Sequence, residues 1–177
     1  MVSFCMTKFS SKVTGCALGL ALALSGCSSP SKGTPGPDAN WLQRMDAALR
    51  QATPALQVRV QPAASPVKVG EALKVRVFSN TAGFVYLLQL DSEAKALQMA
   101  FPNAVDDANF MGAGYIDLPR GTWQLPARGP AGVFYLMAVI SPTQLDLAAL
   151  QAQLAYGRFE LLGAYGASMV PLRLAKP

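Results

Sequence analysis

Apolar residues are distributed differently in successive parts of the chain. An uncharged run from Val13 to Leu24 follows Lys8 and Lys12. This is the pattern of a secretory signal, and as a helix the run is too short to span a hydrocarbon core of about 30 Å. The next stretch, Ser28 to Ala39 (SSPSKGTPGPDA), has almost no apolar side chain. Such a segment cannot repay the entropy of ordering, so a flexible linker over 27–39 is predicted.

Helical periodicity appears twice in the remaining chain. Trp41, Met45 and Leu49 recur at helical spacing and predict a short amphipathic helix, over about 40–52 of a segment 40–55, that packs on the domain. A partner-binding role for this helix is the alternative. Ser141-Pro142-Thr143-Gln144 has the form of a capping box, which predicts a second helix that continues to about Tyr156.

Between and after the helices, the apolar positions follow the two-residue period of strands. The predicted strands cover residues 56–60, 73–78, 84–90, 96–101, 115–119, 122–125, 133–140, 158–164 and 168–174. Those at 115–119 and 122–125 are predicted to form a short strand pair or one bent strand. The runs at 84–90 and 133–140 are apolar throughout and are predicted to be central. Pro171 can donate no ladder hydrogen bond, so the last strand should be an edge or carry a bulge. Because no strand–helix–strand series repeats, we expect a mainly β fold: an antiparallel, immunoglobulin-like β-sandwich with two short helices.

The junction between the signal and the linker resembles a known processing motif. Leu24-Ser25-Gly26-Cys27 is similar to the lipobox of bacterial lipoproteins, which are cleaved before the cysteine and acylated on it. The resemblance implies a signal peptide over 1–26 and a fatty-acylated Cys27 that attaches the chain to a membrane. Ser28 follows, where the family has Asp in inner-membrane members, so the resemblance favours the outer membrane, facing the periplasm. The alternatives are an ordinary cleaved signal with an incidental cysteine and a retained anchor.

Composition removes several classes of function. The 177-residue chain contains no histidine, and two of its three cysteines lie within the predicted signal. The commonest catalytic bases, the usual triads and most zinc sites are therefore excluded. After signal removal, 13 basic residues stand against 10 acidic ones. This mild, scattered excess is not typical of nucleic-acid binding. We expect no enzyme activity, no cofactor and no nucleic-acid partner.

A second resemblance covers about two-thirds of the chain, over 56–177 and mainly from Val69 to Leu174. The motifs that carry it are Val69-Gly70-Glu71, Phe84-Val85-Tyr86-Leu87-Leu88 with Asp91, Phe101-Pro102-Asn103, Ala113-Gly114, Leu118-Pro119, Gly129-Pro130-Ala131-Gly132 and Tyr165-Gly166-Ala167. They are similar to the uncharacterised domains named DUF4384. The chain departs from the family at Asp91-Ser92-Glu93, where Asp-Gly is usual. The resemblance implies an all-β extracytoplasmic domain, often found in lipoproteins or secretion proteins, and brings no catalytic residues.

The loop Pro102 to Gly114 contains the candidate binding residues. Phe110 and Met111 are apolar among polar neighbours, as is typical of a protein contact, although both could also pack into the sandwich. Asp106 and Asp107 are candidates beside them. With Asn103, Asn109 and Asp91, these acids could offer oxygens to calcium, but calcium-loop spacing is absent and a solvated turn is the simpler interpretation.

These observations lead to one functional expectation and one alternative. We expect a non-catalytic adaptor or structural subunit of an envelope or secretion assembly, with type VI secretion as an example by family association. Its candidate contacts are Phe110, Met111, Asp106, Asp107 and Trp41. The alternative is a module that binds a small ligand or a cell-wall glycan. It requires an exposed aromatic cluster, for which Trp41 and Trp123 are the available tryptophans.

Overall fold

The computed structural model describes residues 39–90, 97–156, 158–161 and 163–176. The predicted signal, Cys27 and the linker as far as Asp38 lie outside the described residues, as do Asp91 and Gly157. Two helices and eleven strands occur in the described part. Their bounds are α1 Ala39–Gln51, β1 Val58–Pro62, β2 Val67–Lys68, β3 Ala72–Leu73, β4 Val75–Ser79, β5 Gly83–Leu90, β6 Gln98–Phe101, β7 Phe110–Met111, β8 Gly114–Leu118, β9 Leu125–Pro126, β10 Gly132–Ser141, α2 Leu147–Ala155 and β11 Gly166–Ala175.

The strands form one large sheet and two small ones. The large sheet has the order β2-β11-β10-β5-β6, and β7 also pairs with β5. One small sheet has the order β1-β4-β8, and β3 pairs with β9 in the other. The pairs are antiparallel except β2 with β11. The predicted β-sandwich is confirmed.

One face of the large sheet packs against the two small sheets. Val58, Val60, Val75 and Val77 of the β1-β4-β8 sheet share a core with Phe134 and other residues of the large sheet. These valines alternate with exposed residues on β1 and β4, as the period of two predicted. The alternation leaves the outer face of the β1-β4-β8 sheet open to solvent.

The opposite face of the large sheet is covered by the helices. Trp41 and Met45 of α1 lie with Leu150 and Leu154 of α2 in a second core, together with Tyr86 of β5. Strands β5 and β10 therefore contribute alternate side chains to two cores. This double burial explains why both strands are apolar throughout and confirms that they are central.

Two buried tyrosine hydroxyls connect the helix layer to the rest of the domain. The Tyr165 hydroxyl donates to the Ala48 carbonyl of α1 at 2.8 Å. The Tyr86 hydroxyl accepts from the Leu145 backbone N–H at 2.7 Å, just before α2. Burial raises the pKa of Tyr165. Each ring thus fills a core while its polar end satisfies a backbone group of the helix layer.

The predicted start of the second helix is wrong. Ser141 is the last residue of β10, where it is buried and pairs with Phe84 of β5. The helix begins six residues later, at Leu147, after Asp146. The Asp146 carboxylate accepts from the backbone N–H groups of Ala148 and Ala149, at 2.9 and 3.0 Å. Strand pairing at Ser141 prevails over the local capping signal, and Asp146 provides the cap instead.

Two strand predictions also need correction. Residues 158–161 and 163–165, within the predicted strand 158–164 and just after it, form no strand, and β11 begins at Gly166. Strands β8 and β9 belong to different sheets rather than forming a pair or one bent strand. The edge prediction for Pro171 is confirmed, because β11 pairs with β2 only at Leu174 and Ala175.

None of the helices in the described residues is long and apolar enough to cross a membrane.

Candidate functional site

Asn109 holds the end of the 102–109 loop against the large sheet. It is buried, and its side-chain amide donates to the Val85 carbonyl at 3.1 Å. The Asn109 carbonyl accepts from the Val85 N–H at 2.8 Å. One residue thereby satisfies both polar groups of a buried strand position. This contact places the following residues, Phe110 and Met111, beside β5 as β7.

Asp106 points into the domain rather than into solvent. Its carboxylate accepts from Arg120 Nε at 2.8 Å and from Trp123 Nε1 at 3.0 Å, and it forms an ion pair with Arg120. Arg120 also donates to the Ala108 carbonyl. The hydrogen bonds from Arg120 and then Trp123 hold the pKa of Asp106 below its ordinary value. The pKa of Arg120 is raised, chiefly by its hydrogen bond to Asp106.

The aromatic rings of the Phe101-Pro102-Asn103 region complete this network. Phe101 stacks in parallel with Trp123 at 6.2 Å between centroids, and the Arg120 guanidinium lies 5.2 Å from the Phe101 ring centre. The Asn103 side-chain carbonyl accepts from the backbone N–H groups of Val105 and Asp106. The motif therefore has a structural role, since it closes the loop and orients Asp106.

Three of the possible calcium ligands of this loop, Asp106, Asn103 and Asn109, form hydrogen bonds within the domain. The Asp106 oxygens face Arg120 and Trp123, the Asn103 oxygen accepts from the backbone, and the Asn109 amide binds Val85. A cation would have to displace the Arg120 guanidinium. Among the described residues, no group of three or more His, Cys, Asp or Glu side chains could hold a metal ion. Of the two other candidate ligands, Asp107 is exposed to solvent and Asp91 lies outside the described residues.

Phe110 and Asp107 are the two predicted contact residues that share an exposed surface. Phe110 is 57% exposed and packs edge-on against Phe84, with ring centroids 5.2 Å apart. Together with Ala108 and Gln144, these residues line a hollow of about 220 Å³. We call this surface the Phe110 surface. It places an apolar ring beside an exposed carboxylate on a backbone fixed by β5.

The other predicted contact residues lie elsewhere. Met111 is buried in the sandwich core, and Trp41 is buried beneath α1 with the Arg44 guanidinium 5.4 Å from its ring centre. Trp123 is half-buried in its stack with Phe101. The tryptophans therefore do not form the exposed aromatic cluster that ligand binding requires. Tyr115 is 66% exposed, on the outer face of the β1-β4-β8 sheet.

Sequence reasoning missed Arg120, the hydrogen bond from Trp123 to Asp106, and the pairing of Tyr115 with Phe78. Arg120 lies 14 residues from Asp106, and Phe78 lies opposite Tyr115 through strand register. Alternation in β4 and β8 was a usable signal for the second pair, because Phe78 and Tyr115 both occupy outward positions. No local pattern in the sequence indicated that Arg120 would pair with Asp106.

The described residues form a β-sandwich domain. A partly buried polar network holds the 102–109 loop, and Phe110 and Tyr115 are exposed on two separate surfaces. Residues 66–144 match the family model of a domain of unknown function, DUF4384. This match confirms the resemblance that the motifs predicted within residues 66–144, and it ends before Tyr165-Gly166-Ala167. No curated protein and no solved structure matches the chain.

Proposed function

We propose that this chain is an acylated lipoprotein whose DUF4384 domain is a non-catalytic adaptor or structural subunit of an envelope or secretion assembly. In this proposal Cys27 carries the lipid, the outer membrane holds it, and the domain faces the periplasm. The signal-like run, the Leu24-Ser25-Gly26-Cys27 motif and the polar linker after it support the anchor. Stable anchoring requires more than one acyl chain, which lipoprotein processing provides.

The Phe110 surface is the observation that carries the adaptor role. A phenylalanine that is 57% exposed covers little of the core, and β7 is only two residues long. Its position is nevertheless fixed by pairing with β5 and by the Asn109 contacts to Val85. Aromatic rings held rigidly at a surface are typical energetic centres of protein interfaces.

Charge and shape at this surface indicate the chemistry of the partner. Asp107 lies beside Phe110 in the same hollow, with no histidine or cysteine in the domain to add reactivity. A complementary partner segment would insert an apolar side chain into the hollow and place a Lys or Arg against Asp107. The proposed partner is therefore an envelope protein with a basic, apolar contact segment.

The proposal can be tested with a photo-crosslinking residue at Ala108 in full-length protein within native envelopes. We expect a discrete set of envelope proteins to be captured. Phe110→Asn and Asp107→Lys should each reduce the yield by about tenfold, the effect of losing a contact of moderate strength. Tyr156→Asn is the matched control, because Tyr156 is 82% exposed and lies after α2, and it should leave the yield unchanged.

The melting temperature of each variant separates lost binding from lost folding. Phe110→Asn should shift it only slightly, since the ring is mainly exposed. Equal capture by wild type, Phe110→Asn and Asp107→Lys would contradict the proposed surface. Capture of no envelope protein by the wild type would contradict the adaptor role itself.

A further inference from the structure

The outer face of the β1-β4-β8 sheet presents two ordered rows of side chains. Strand register places Arg59, Phe78 and Tyr115 across the sheet in one row. The adjacent row contains Gln61, Arg76 and Asp117. These side chains alternate along β1, β4 and β8 with apolar residues that pack in or against the sandwich core, so they share the outward face.

The first row is an aromatic platform bordered by guanidinium groups. The Phe78 and Tyr115 rings lie 5.0 Å apart between centroids. The Arg59 guanidinium lies 5.9 Å from the centre of Phe78, and that of Arg76 lies 5.8 Å from the centre of Tyr115. The two ring planes are tilted by 49° to each other. An arginine beside an aromatic ring can still use its donors, as Arg76 does toward Asp117. The platform therefore combines two exposed or half-buried rings with guanidinium groups at their borders.

In the second row, Arg76 provides hydrogen-bond donors and Asp117 provides acceptors, side by side on adjacent strands. Arg76 Nε donates to Asp117 Oδ1 at 2.7 Å, and its terminal nitrogen donates to Asp117 Oδ2 at 3.0 Å. This pairing raises the pKa of Arg76 and lowers the pKa of Asp117, so both remain charged. The pair is exposed, so it contributes little to stability, and both charged groups are accessible to a ligand.

A cleft of about 560 Å³ lies beside the two rows. Gln61, Lys74, Arg76 and Asp117 line it, together with apolar atoms of Val75 and neighbouring prolines. Its size is within the range of small-ligand sites, which combine apolar walls with a few polar groups. Lys74, Arg76 and Arg59 outnumber Asp117 around the cleft and platform, so the local charge is positive.

From these features we infer that the outer face of the β1-β4-β8 sheet is a binding site for an acidic saccharide. The apolar face of a sugar ring packs against the exposed part of Tyr115, beside Phe78. Arg76 and Asp117 offer the donor and the acceptor that neighbouring sugar hydroxyls require, and Gln61 offers both. A carboxylate on the sugar is bound by Arg59, and Lys74 adds positive charge at the cleft.

Other ligand classes fit this face less well. A simple anion would meet the Asp117 carboxylate next to the guanidinium that should bind it, and it would not use the aromatic platform. A neutral sugar would use the platform but not the excess of basic side chains. The Phe110 surface is built from other residues, so this inference does not depend on the adaptor role.

The test is calorimetric titration of the full-length protein in detergent micelles at low ionic strength. The probes are a trigalacturonate and its methyl ester, which has the same rings without carboxylate charge, and inorganic phosphate serves as a competitor. We expect the acid to bind, the ester to bind about tenfold more weakly, and phosphate not to displace the acid.

Variants assign the binding to individual side chains. Tyr115→Ala should weaken both sugar probes by about tenfold, whereas Arg59→Gln should weaken only the acid. Tyr156→Ala, at another exposed tyrosine, is the matched control and should change neither affinity. Because Tyr115 and Arg59 are exposed, their variants should retain the wild-type melting temperature.

Three results would overturn the inference. Absence of binding by either sugar at millimolar concentration would show that the face is no saccharide site. Displacement of the acid by phosphate would make it a simple anion site. Equal loss of binding in Tyr156→Ala and Tyr115→Ala would place the sugar elsewhere on the protein.

Discussion

Asp106 lies on a polar loop, yet its partners come from residues far along the chain. The loop contains two adjacent acids, and both were candidates for contact with solvent or a partner. The structure separates them. Asp106 accepts hydrogen bonds from Arg120 and Trp123 and is only 14% exposed, whereas Asp107 faces the solvent. One acid therefore holds the loop, and the other is available for binding.

At the residue scale, Asp106→Asn should destabilise the domain by about 2 kcal/mol at pH 7, because hydrogen bonds to a charged group are lost. Asp107→Asn is the control and should change the free energy of unfolding by less than about 0.5 kcal/mol. Urea denaturation of both variants and wild type measures the difference. Equal effects of the two substitutions would contradict the structural role of Asp106.

The same pair predicts a pH dependence. The pKa of Asp106 is lower in the folded protein than its ordinary value of 3.8. Its ionised form therefore stabilises the fold above pH 3.8, and this stabilisation is lost as the pH falls from there through the folded pKa. The difference in unfolding free energy between wild type and Asp106→Asn should shrink over that range. A constant difference from pH 7 to pH 2 would contradict this assignment.

At the scale of elements, β11 meets the chain entering β1 at a point of very close backbone approach. A Cβ added at Gly166 would contact the Leu56 carbonyl oxygen and would lie 2.6 Å from Val58 Cγ2. The carbonyl of the preceding Tyr165 also accepts from the Thr53 N–H at 2.7 Å. This junction joins α1, β1 and β11, so neither strand can shift to make room.

Gly166→Ala should therefore destabilise the domain by at least about 2 kcal/mol, the usual cost of overpacking a rigid site. Gly112→Ala is the matched control, because a Cβ there would meet no atom of the described residues within 4 Å. It should leave the melting temperature within a few degrees of wild type. The two melting curves, recorded by circular dichroism, test the prediction. Comparable shifts in both would contradict the close approach at Gly166.

At the scale of the whole molecule, the proposed anchor and the folded domain are separate parts with separate tests. The domain has two cores, one between the sheets and one beneath the helices. Residues up to Asp38, which include Cys27, lie outside the described residues. Under the proposal, removing Cys27 should change where the protein is found without changing how the domain folds.

Cys27→Ala should move the protein from the membrane fraction to the soluble fraction of the envelope, because the acyl chains supply the membrane affinity. Ser29→Ala should remain in the membrane fraction and serves as the control. By the sorting resemblance, Ser28→Asp should move the protein from the outer to the inner membrane on a density gradient. Retention of Cys27→Ala in salt-washed membranes would contradict lipid anchoring.

The pattern of residues determined the fold class, because alternation and helical spacing are local consequences of burying one face of each element. It indicated the central strands β5 and β10, helix α1 and the edge position of Pro171. It also placed Phe110 and Asp107 among the candidate contacts. These predictions depend on side chains close together in sequence.

Tertiary structure decided what depends on partners distant in sequence. The pairing of Ser141 with Phe84 moved the start of α2 to Leu147. Arg120 and Trp123 gave Asp106 a structural role, and strand register brought Phe78 beside Tyr115. Local sequence carries no information about register between distant strands or about which buried charges meet. The strand register and the charge pairs are fixed only when the sheets and helices pack together. Each then results from the contacts that are most favourable in the whole fold.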